Sequence, residues 1–288
     1  MLKQRIITAL ALLAVILVCL FAPWDWPFVV LVTAALSITA WEWARLNGIG
    51  GMAAKMVGLV FALGCTVAAL NGVQEVSKPS LFWLLFSMAW LVGAVFVLRE
   101  GTAGWLALPR ALRLLLGIVV FAVAWVAVLR AYQLGINYLL SLMALVWMAD
   151  VGAYFAGRSF GQKLVARKLA PTVSPGKSWE GVFGGMIGVV LLAFLWLWLD
   201  RLLADDWGRS FYGLVRQQGL SMMIVVCVAL AAMSVLGDLL ESLIKRAAGV
   251  KDSSAILPGH GGMLDRIDGL LPVMPMGMLV LALLARAV

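Results

Sequence analysis

The sequence consists mainly of apolar runs about 20 residues long, separated by short breaks that are polar or rich in glycine and proline. A helix of about 20 apolar residues is long enough to cross the hydrocarbon core of a bilayer. Because 64% of the 288 residues are hydrophobic and 12% are charged, the chain has room for about eight to ten such helices and for no separate soluble domain. The pattern predicts an all-α, polytopic integral membrane protein.

Nine candidate spans can be placed between the breaks. They cover residues 6–22, 27–44, 54–71, 80–98, 114–131, 136–157, 181–199, 219–237 and 269–286. The first run follows Lys3 and Arg5 and so resembles the start of a signal peptide. Its length and its lack of a small-residue cleavage site favour a retained first helix instead.

Basic residues are distributed unevenly between the two sets of loops. With a cytoplasmic N-terminus, sixteen of the 22 lysines and arginines lie on the cytoplasmic side, and six lie on the other: Lys78, Arg130, Arg201, Arg209, Arg216 and Arg286. This asymmetry predicts a cytoplasmic N-terminus in a bacterial inner membrane. It also explains the net charge of +8, together with contacts to anionic membrane lipid, so we expect no nucleic-acid partner.

The unusual polar residues are concentrated in the C-terminal half of the chain. Two predicted cytoplasmic loops, 158–180 and 239–268, carry most of them, whereas the N-terminal part is plain apolar helix. We therefore expect residues 1–131 to form a scaffold and residues 132–288 to form the catalytic region, with its active site facing the cytoplasm.

Four acids lie next to the last two predicted spans. Asp238 and Glu241 lie at the end of an apolar run, where a carboxylate is unfavourable unless something compensates its charge. Asp265 and Asp268 are three residues apart, which places both on one face of a helix. With Asp238 they can form an oxygen cage suited to Mg²⁺ bound together with substrate phosphates. The alternative is that Asp265 pairs with Arg266 or a nearby lysine.

Residues suited to phosphate binding flank these acids. Lys245, Arg246 and Lys251 provide positive charge, and glycines surround His260, the one histidine of the chain. We interpret His260 as a hydrogen-bond donor to phosphate or a loop organiser rather than a general base. Just before the seventh span, Ser174, Lys177 and Ser178 can offer hydrogen-bond donors to an anion at a helix N-terminus.

The segment from Ser242 to Asp268 resembles the signature of the phosphatidate cytidylyltransferases, or CDP-diacylglycerol synthases. The shared features are a Ser-x-apolar-Lys-Arg start, a Lys-Asp pair, a His-Gly-Gly and a closing Asp-Arg-x-Asp, and every fixed position is filled. The stretches Asp150–Gly161 and Ser174–Gly181 are similar to the family's upstream motifs.

The resemblance implies a multi-span, homodimeric enzyme that uses Mg²⁺, alone or with a second cation, to join CTP to phosphatidic acid with release of pyrophosphate. The residues it suggests for metal binding are Asp238, Asp265 and Asp268. Those expected in catalysis are Asp238, Asp265, Asp268, Lys245 and Arg246. Those expected to bind substrate are Asp150, Ser174, Lys177, Ser242, Lys251, Asp252 and His260.

Two other functions are compatible with parts of the pattern. Asp268-Gly269 suggests a CDP-alcohol phosphotransferase, but that family expects an Ala-Arg and two further aspartates downstream, and the chain is apolar from Leu270 onward. Many spans with intramembrane acids also suit a transporter for a phosphorylated anion, which would show uptake without chemical turnover.

Overall fold

The computed structural model describes residues 2–73, 75, 79–202 and 208–285, and within them side chains from position 8 onward except that of residue 9. In this part of the chain the secondary structure is helical, with two isolated β-bridges. The helices are α1 (Leu2–Leu20), α2 (Trp26–Leu46), α3 (Gly51–Leu70), α4 (Ser80–Ala107), α5 (Arg110–Leu134), α6 (Ile136–Phe160), α7 (Trp179–Leu202), α8 (Phe211–Arg216), α9 (Leu220–Ala247), α10 (Leu264–Ile267) and α11 (Leu270–Leu284).

Eight helical segments among the described residues are long and apolar enough to cross a membrane, and α1 adds a shorter apolar helix, Leu10–Leu20. The expected fold class, an all-α polytopic membrane protein, is confirmed. The predicted span 269–286 ends outside the described residues. The basic positions Lys78 and Arg286 also lie outside them.

Two predicted spans are nine residues shorter than the helices that form. The predicted span 80–98 continues to Ala107 as α4, with a non-helical residue at Gly101 (φ 71°, ψ −162°). The predicted span 219–237 continues to Ala247 as α9, so residues 239–247 of the predicted loop are helical. This helix persists past the apolar run because its polar side chains, described below, find charged partners on neighbouring segments.

Helices α6 and α7 pack closely because small residues line their contact. A Cβ atom at Gly152 would lie 2.7 Å from the carbonyl oxygen of Gly184. One at Gly185 would lie 2.6 Å from the carbonyl oxygen of Ala149. Small residues allow two membrane helices to approach backbone to backbone. The approach brings Asp150 of α6 beside the segment that leads into α7.

A polar network holds the opposite end of the bundle together. Asn137 Nδ2 donates to Asp200 Oδ1 at 2.9 Å, and Trp196 Nε1 donates to Asn137 Oδ1 at 2.8 Å. Ser210 Oγ also donates to Asp200. The network satisfies the Asp200 carboxylate and joins α6, α7 and the start of α8 away from the acids identified in the sequence.

We predict that Gly185→Ala lowers the thermal unfolding midpoint in detergent, because its methyl group must push α6 and α7 apart, at a cost of about 1–3 kcal/mol. The matched control is Gly64→Ala in α3, where a Cβ meets nothing within 4 Å. There the higher helix propensity of alanine should leave the midpoint unchanged or raise it. Equal midpoints for the two variants would contradict the close packing of α6 and α7.

Candidate active site

Three carboxylates converge at one end of the bundle, and we call Asp238, Glu241 and Asp268 the carboxylate cluster. One oxygen from each lies within 4.8 Å of the others. Asp238 and Glu241 are three residues apart on α9 and therefore share a face. Asp268 follows α10 and accepts a hydrogen bond from the Gly269 N–H at 2.7 Å. Gly237 permits the approach, since a Cβ there would lie 2.5 Å from the Asp268 carbonyl oxygen.

A lysine from the α6–α7 segment reaches the cluster. Lys177 Nζ lies 2.5 Å from Asp238 Oδ2, and Ser242 Oγ donates to Asp238 Oδ1 at 3.3 Å. Beside this pair is a cavity of about 230 Å³, lined by Asp150, Tyr154, Gly176, Lys177, Ser178 and Asp238 among others. We call it the polar cavity. It brings together both upstream motifs and the first acid of α9.

Lys245 connects the cluster to the fourth acid. Its Nζ lies 2.5 Å from Glu241 Oε2 and 2.5 Å from Asp265 Oδ1. The other oxygen of Asp265 accepts hydrogen bonds from Ser253 N at 3.0 Å, Ser253 Oγ at 2.8 Å and Gly262 N at 2.7 Å. Asp265 thus pairs with a nearby lysine, as one of the two interpretations anticipated, and lies outside the group of three. Its role as a metal ligand stays a prediction.

Glu42 of α2 is a buried acid that the interpretation of the sequence did not include. Its carboxylate accepts hydrogen bonds from Ser254 Oγ at 2.5 Å, Met263 N at 2.9 Å and Leu264 N at 2.7 Å, and Ser253 Oγ lies 3.2 Å away. The available signal was an acid flanked by two tryptophans inside an apolar run, since intramembrane acids are rarely incidental.

A second cavity borders the other side of the cluster. It measures about 140 Å³, is walled mainly by apolar residues of α4, α5 and α9, and includes Glu241 and Asp268 in its lining. We call it the apolar cavity. Ala89, Gly93 and Leu116, also in its lining, are exposed on the outer surface of the helices. The carboxylate cluster therefore lies between a polar cavity and an apolar one.

The depth of the cluster follows from the length of α9. Asp238 is 18 residues beyond Leu220, the first residue of α9, which corresponds to about 27 Å along a helix. The hydrocarbon core of a bilayer is about 30 Å thick. A helix that starts at one boundary thus brings Asp238 close to the other, the level at which lipid headgroups meet acyl chains.

Two further predicted residues stabilise the surrounding segments. Arg246 Nε donates to the Val173 carbonyl oxygen at 3.4 Å, and its Nη1 donates to that of Val250 at 3.3 Å. The Ser174 carbonyl oxygen accepts the Lys177 N–H at 3.1 Å, which forms the turn that presents Lys177. The structure thus places Arg246 and Ser174 where the end of α9 meets the α6–α7 segment.

The remaining predicted residues lie in the loop after α9. Lys251 and Asp252 are exposed there. The His260 backbone N–H donates to the Leu257 carbonyl oxygen at 2.8 Å, and its side-chain Nδ1 is buried without a partner among the described residues. The structure does not bring these three side chains into the carboxylate cluster, and their roles in substrate binding stay predictions.

The fold and the site define a polytopic helical membrane protein whose acids and lysines gather at one end of its bundle, between two cavities. Residues 3–284 match the family model described as "Cytidylyltransferase family". The chain therefore belongs to the cytidylyltransferase family. This confirms the resemblance inferred from the sequence motifs and disfavours both alternatives, the alcohol phosphotransferase and the transporter.

Several relatives match over nearly their whole length. A Pseudomonas aeruginosa protein is 39% identical over 282 residues, covering 96% of this chain and 95% of its own. A Haemophilus influenzae protein is 38% identical, with 96% of each chain covered. A Bacillus subtilis protein is 29% identical, with 98% of each chain covered. All three are named phosphatidate cytidylyltransferase.

We predict that Lys245→Met destabilises the protein by about 3–5 kcal/mol, because it leaves two carboxylates without their shared cation in a site where the lysine side chain is only 12% exposed. Adding Glu241→Gln should recover part of the loss, since it removes one of the unpaired charges. Thermal unfolding in detergent measures both effects, with the exposed Lys55→Met as the control. If Lys245→Met unfolds at the temperature of the control, the pairing does not contribute to stability.

Proposed function

We propose that this protein transfers the cytidylyl group of CTP to phosphatidic acid, giving CDP-diacylglycerol and pyrophosphate for phospholipid synthesis. The observation that carries the proposal is the position of the carboxylate cluster between the polar and the apolar cavity. A reaction between a water-soluble nucleotide and a membrane lipid needs one site that both can reach. The names of the full-length relatives support the same reaction.

The polar cavity suits the phosphates of CTP. Lys177 supplies a positive charge, and α7 begins directly after the cavity residues Lys177 and Ser178. The N-terminus of a helix of 24 residues carries a partial positive charge and free N–H groups that favour anions. In this proposal Lys177 leaves its ion pair with Asp238 to contact phosphate, while Asp150 and Ser174 help to shape the nucleotide site.

The apolar cavity suits the glycerol and upper acyl portion of phosphatidic acid. Its mouth lies between α4 and α5, where Gly93 and Leu116 face outward. Its inner end carries Glu241 and Asp268. A lipid entering sideways from the bilayer thus meets acids only where its phosphate is to react, near the headgroup level inferred from the position of Asp238 on α9.

The donors of the carboxylate cluster fit Mg²⁺, which prefers carboxylate and phosphate oxygens. Asp238 and Asp268 would hold the ion, with Glu241 in reach, and Asp265 would join them after separating from Lys245. When bound, Mg²⁺, alone or with a second cation, neutralises the charge that develops on the reacting phosphates.

The protein's own contribution is positioning and charge compensation. A phosphatidate oxygen is already ionised at neutral pH and attacks the α-phosphorus of CTP in line with the departing pyrophosphate, so no general base is needed. Lys177, Lys245 and Arg246 compensate the phosphate charges. Ser242, Lys251, Asp252 and His260 contribute hydrogen bonds or loop shape around the substrates.

We propose that the carboxylate cluster faces the cytoplasm of a bacterial inner membrane. The α6–α7 segment at that end of the bundle carries basic residues, as the positive-inside rule requires: Arg158, Lys163, Arg167, Lys168 and Lys177. We further propose a homodimer in which residues 132–288 form the catalytic region. Residues 1–131 then form a scaffold that also supplies walls of the apolar cavity.

We predict that the purified protein makes labelled CDP-diacylglycerol from CTP and phosphatidic acid in detergent micelles with Mg²⁺, and that EDTA abolishes the product. Asp238→Asn should lower kcat by about 100-fold or more, because it removes a carboxylate that compensates the reacting centre. Glu100→Gln, an exposed glutamate of α4, should act like the wild type. Absence of product from well-folded wild type would refute the proposed reaction.

A further inference from the structure

Glu42 is the acid that joins the N-terminal helices to the segment between α9 and α11. It lies fully buried in α2, yet its contacts are 211 to 222 residues away in the sequence. Burying a carboxylate among apolar helices is unfavourable unless its oxygens are satisfied. The contacts of this residue show how that requirement is met.

The Glu42 carboxylate closes the loop 253–264 by binding both of its ends. The Ser254 hydroxyl donates to it at 2.5 Å from the start of the loop, where Ser253 Oγ also lies 3.2 Å from Oε2. The backbone N–H groups of Met263 and Leu264 donate from the end of the loop, at 2.9 and 2.7 Å. Gly262 makes this approach possible, because a Cβ there would lie 2.4 Å from Glu42 Oε1. Three committed donors and one shared hydroxyl around two oxygens favour a group that only accepts.

The loop held by Glu42 leads directly to the carboxylate cluster. Ser253 Oγ lies 3.2 Å from Glu42 Oε2 and 2.8 Å from Asp265 Oδ2, so one hydroxyl contacts both acids. Asp265 in turn contacts Lys245, and Lys245 contacts Glu241 of the cluster. A continuous series of polar contacts thus runs from α2 to the cluster.

We propose that Glu42 is a positioning residue for the cytidylyl transfer, acting through the loop 253–264 on Asp265 and Lys245. The inference rests on the proposed function for its catalytic part. Glu42 is not in the lining of either cavity, so it does not act by contacting substrate. Its position assigns a specific role in the site to the N-terminal region, which otherwise supplies packing and walls of the apolar cavity.

The role depends on the carboxylate and not only on side-chain volume. Glu42→Gln keeps the shape but places an NH₂ group against a backbone N–H, which leaves the Met263 or the Leu264 amide without its acceptor. We therefore expect the loop to open locally in this variant while the bundle remains folded. The Met263 and Leu264 amides report this opening directly, because Glu42 is their acceptor.

The first measurement is hydrogen exchange on the metal-free protein in detergent. Glu42→Gln should speed exchange of peptides covering residues 253–264 by about tenfold or more, since hydrogen bonds to a charged group contribute about 1.5–3 kcal/mol. Exchange in residues 161–178 should stay unchanged. The matched control is Glu100→Gln, which should exchange like the wild type in both segments.

The second measurement separates kcat from KM with CTP and phosphatidic acid. Glu42→Gln should lower kcat about tenfold or more and leave the KM for CTP within about twofold, because no residue of the loop lines the polar cavity. Ser254→Ala, which removes one donor from the loop side, should change exchange and kcat in the same direction but less. The kcat is expressed per folded enzyme, because a loss of stability alone would lower the apparent kcat and leave KM unchanged.

Unchanged exchange in residues 253–264, or faster exchange with wild-type kcat, would overturn the proposal. If Glu42→Gln does not fold, Ser254→Ala decides by the same two criteria. Failure of the proposed function is distinct, because the wild type itself would then form no CDP-diacylglycerol, whatever the exchange of the loop.

Discussion

The structure depends on compensating the charge of the acids at one end of a membrane helix bundle. Lys245 lies between Glu241 and Asp265 at 2.5 Å from each, and Lys177 lies equally close to Asp238. In a medium with little water, each carboxylate requires a cation or several hydrogen-bond donors. Two lysines from different segments meet this requirement for Asp238, Glu241 and Asp265, and so they fix how the α6–α7 segment, α9 and α10 are arranged.

The same requirement explains the architecture around the cluster. Among the described residues Glu42 has no cation partner, and its oxygens are satisfied by donors from one loop. Glycines at the points of closest approach make room for these contacts: Gly237 against Asp268, and Gly262 against Glu42. Substitutions at either glycine would displace a charged group, which links backbone packing to the geometry of the site.

Much of the fold and part of the site could be predicted from the sequence. Apolar runs indicate membrane helices because their length is set by the bilayer, and the motif near the C-terminus indicated the family. Hydropathy ended the predicted span at 237 because it does not register the partners that keep the polar turns of α9 helical. Glu42 was missed because its donors are more than 200 residues away, which local patterns do not encode. Asp265 pairs with Lys245 and is not one of the three acids of the cluster. This arrangement likewise depends on tertiary contacts.

If the carboxylate cluster joins a nucleotide cavity to a lipid cavity, each substrate can be impaired separately. The most direct test is to measure the KM for CTP and the KM for phosphatidic acid in the variant Gly93→Phe. A Cβ at Gly93 meets nothing within 4 Å, so the ring fits at the mouth of the apolar cavity. We predict a KM for phosphatidic acid raised about tenfold, with the KM for CTP unchanged and Gly64→Phe as the control. An unchanged KM for phosphatidic acid, or an equal rise for CTP, would contradict the account.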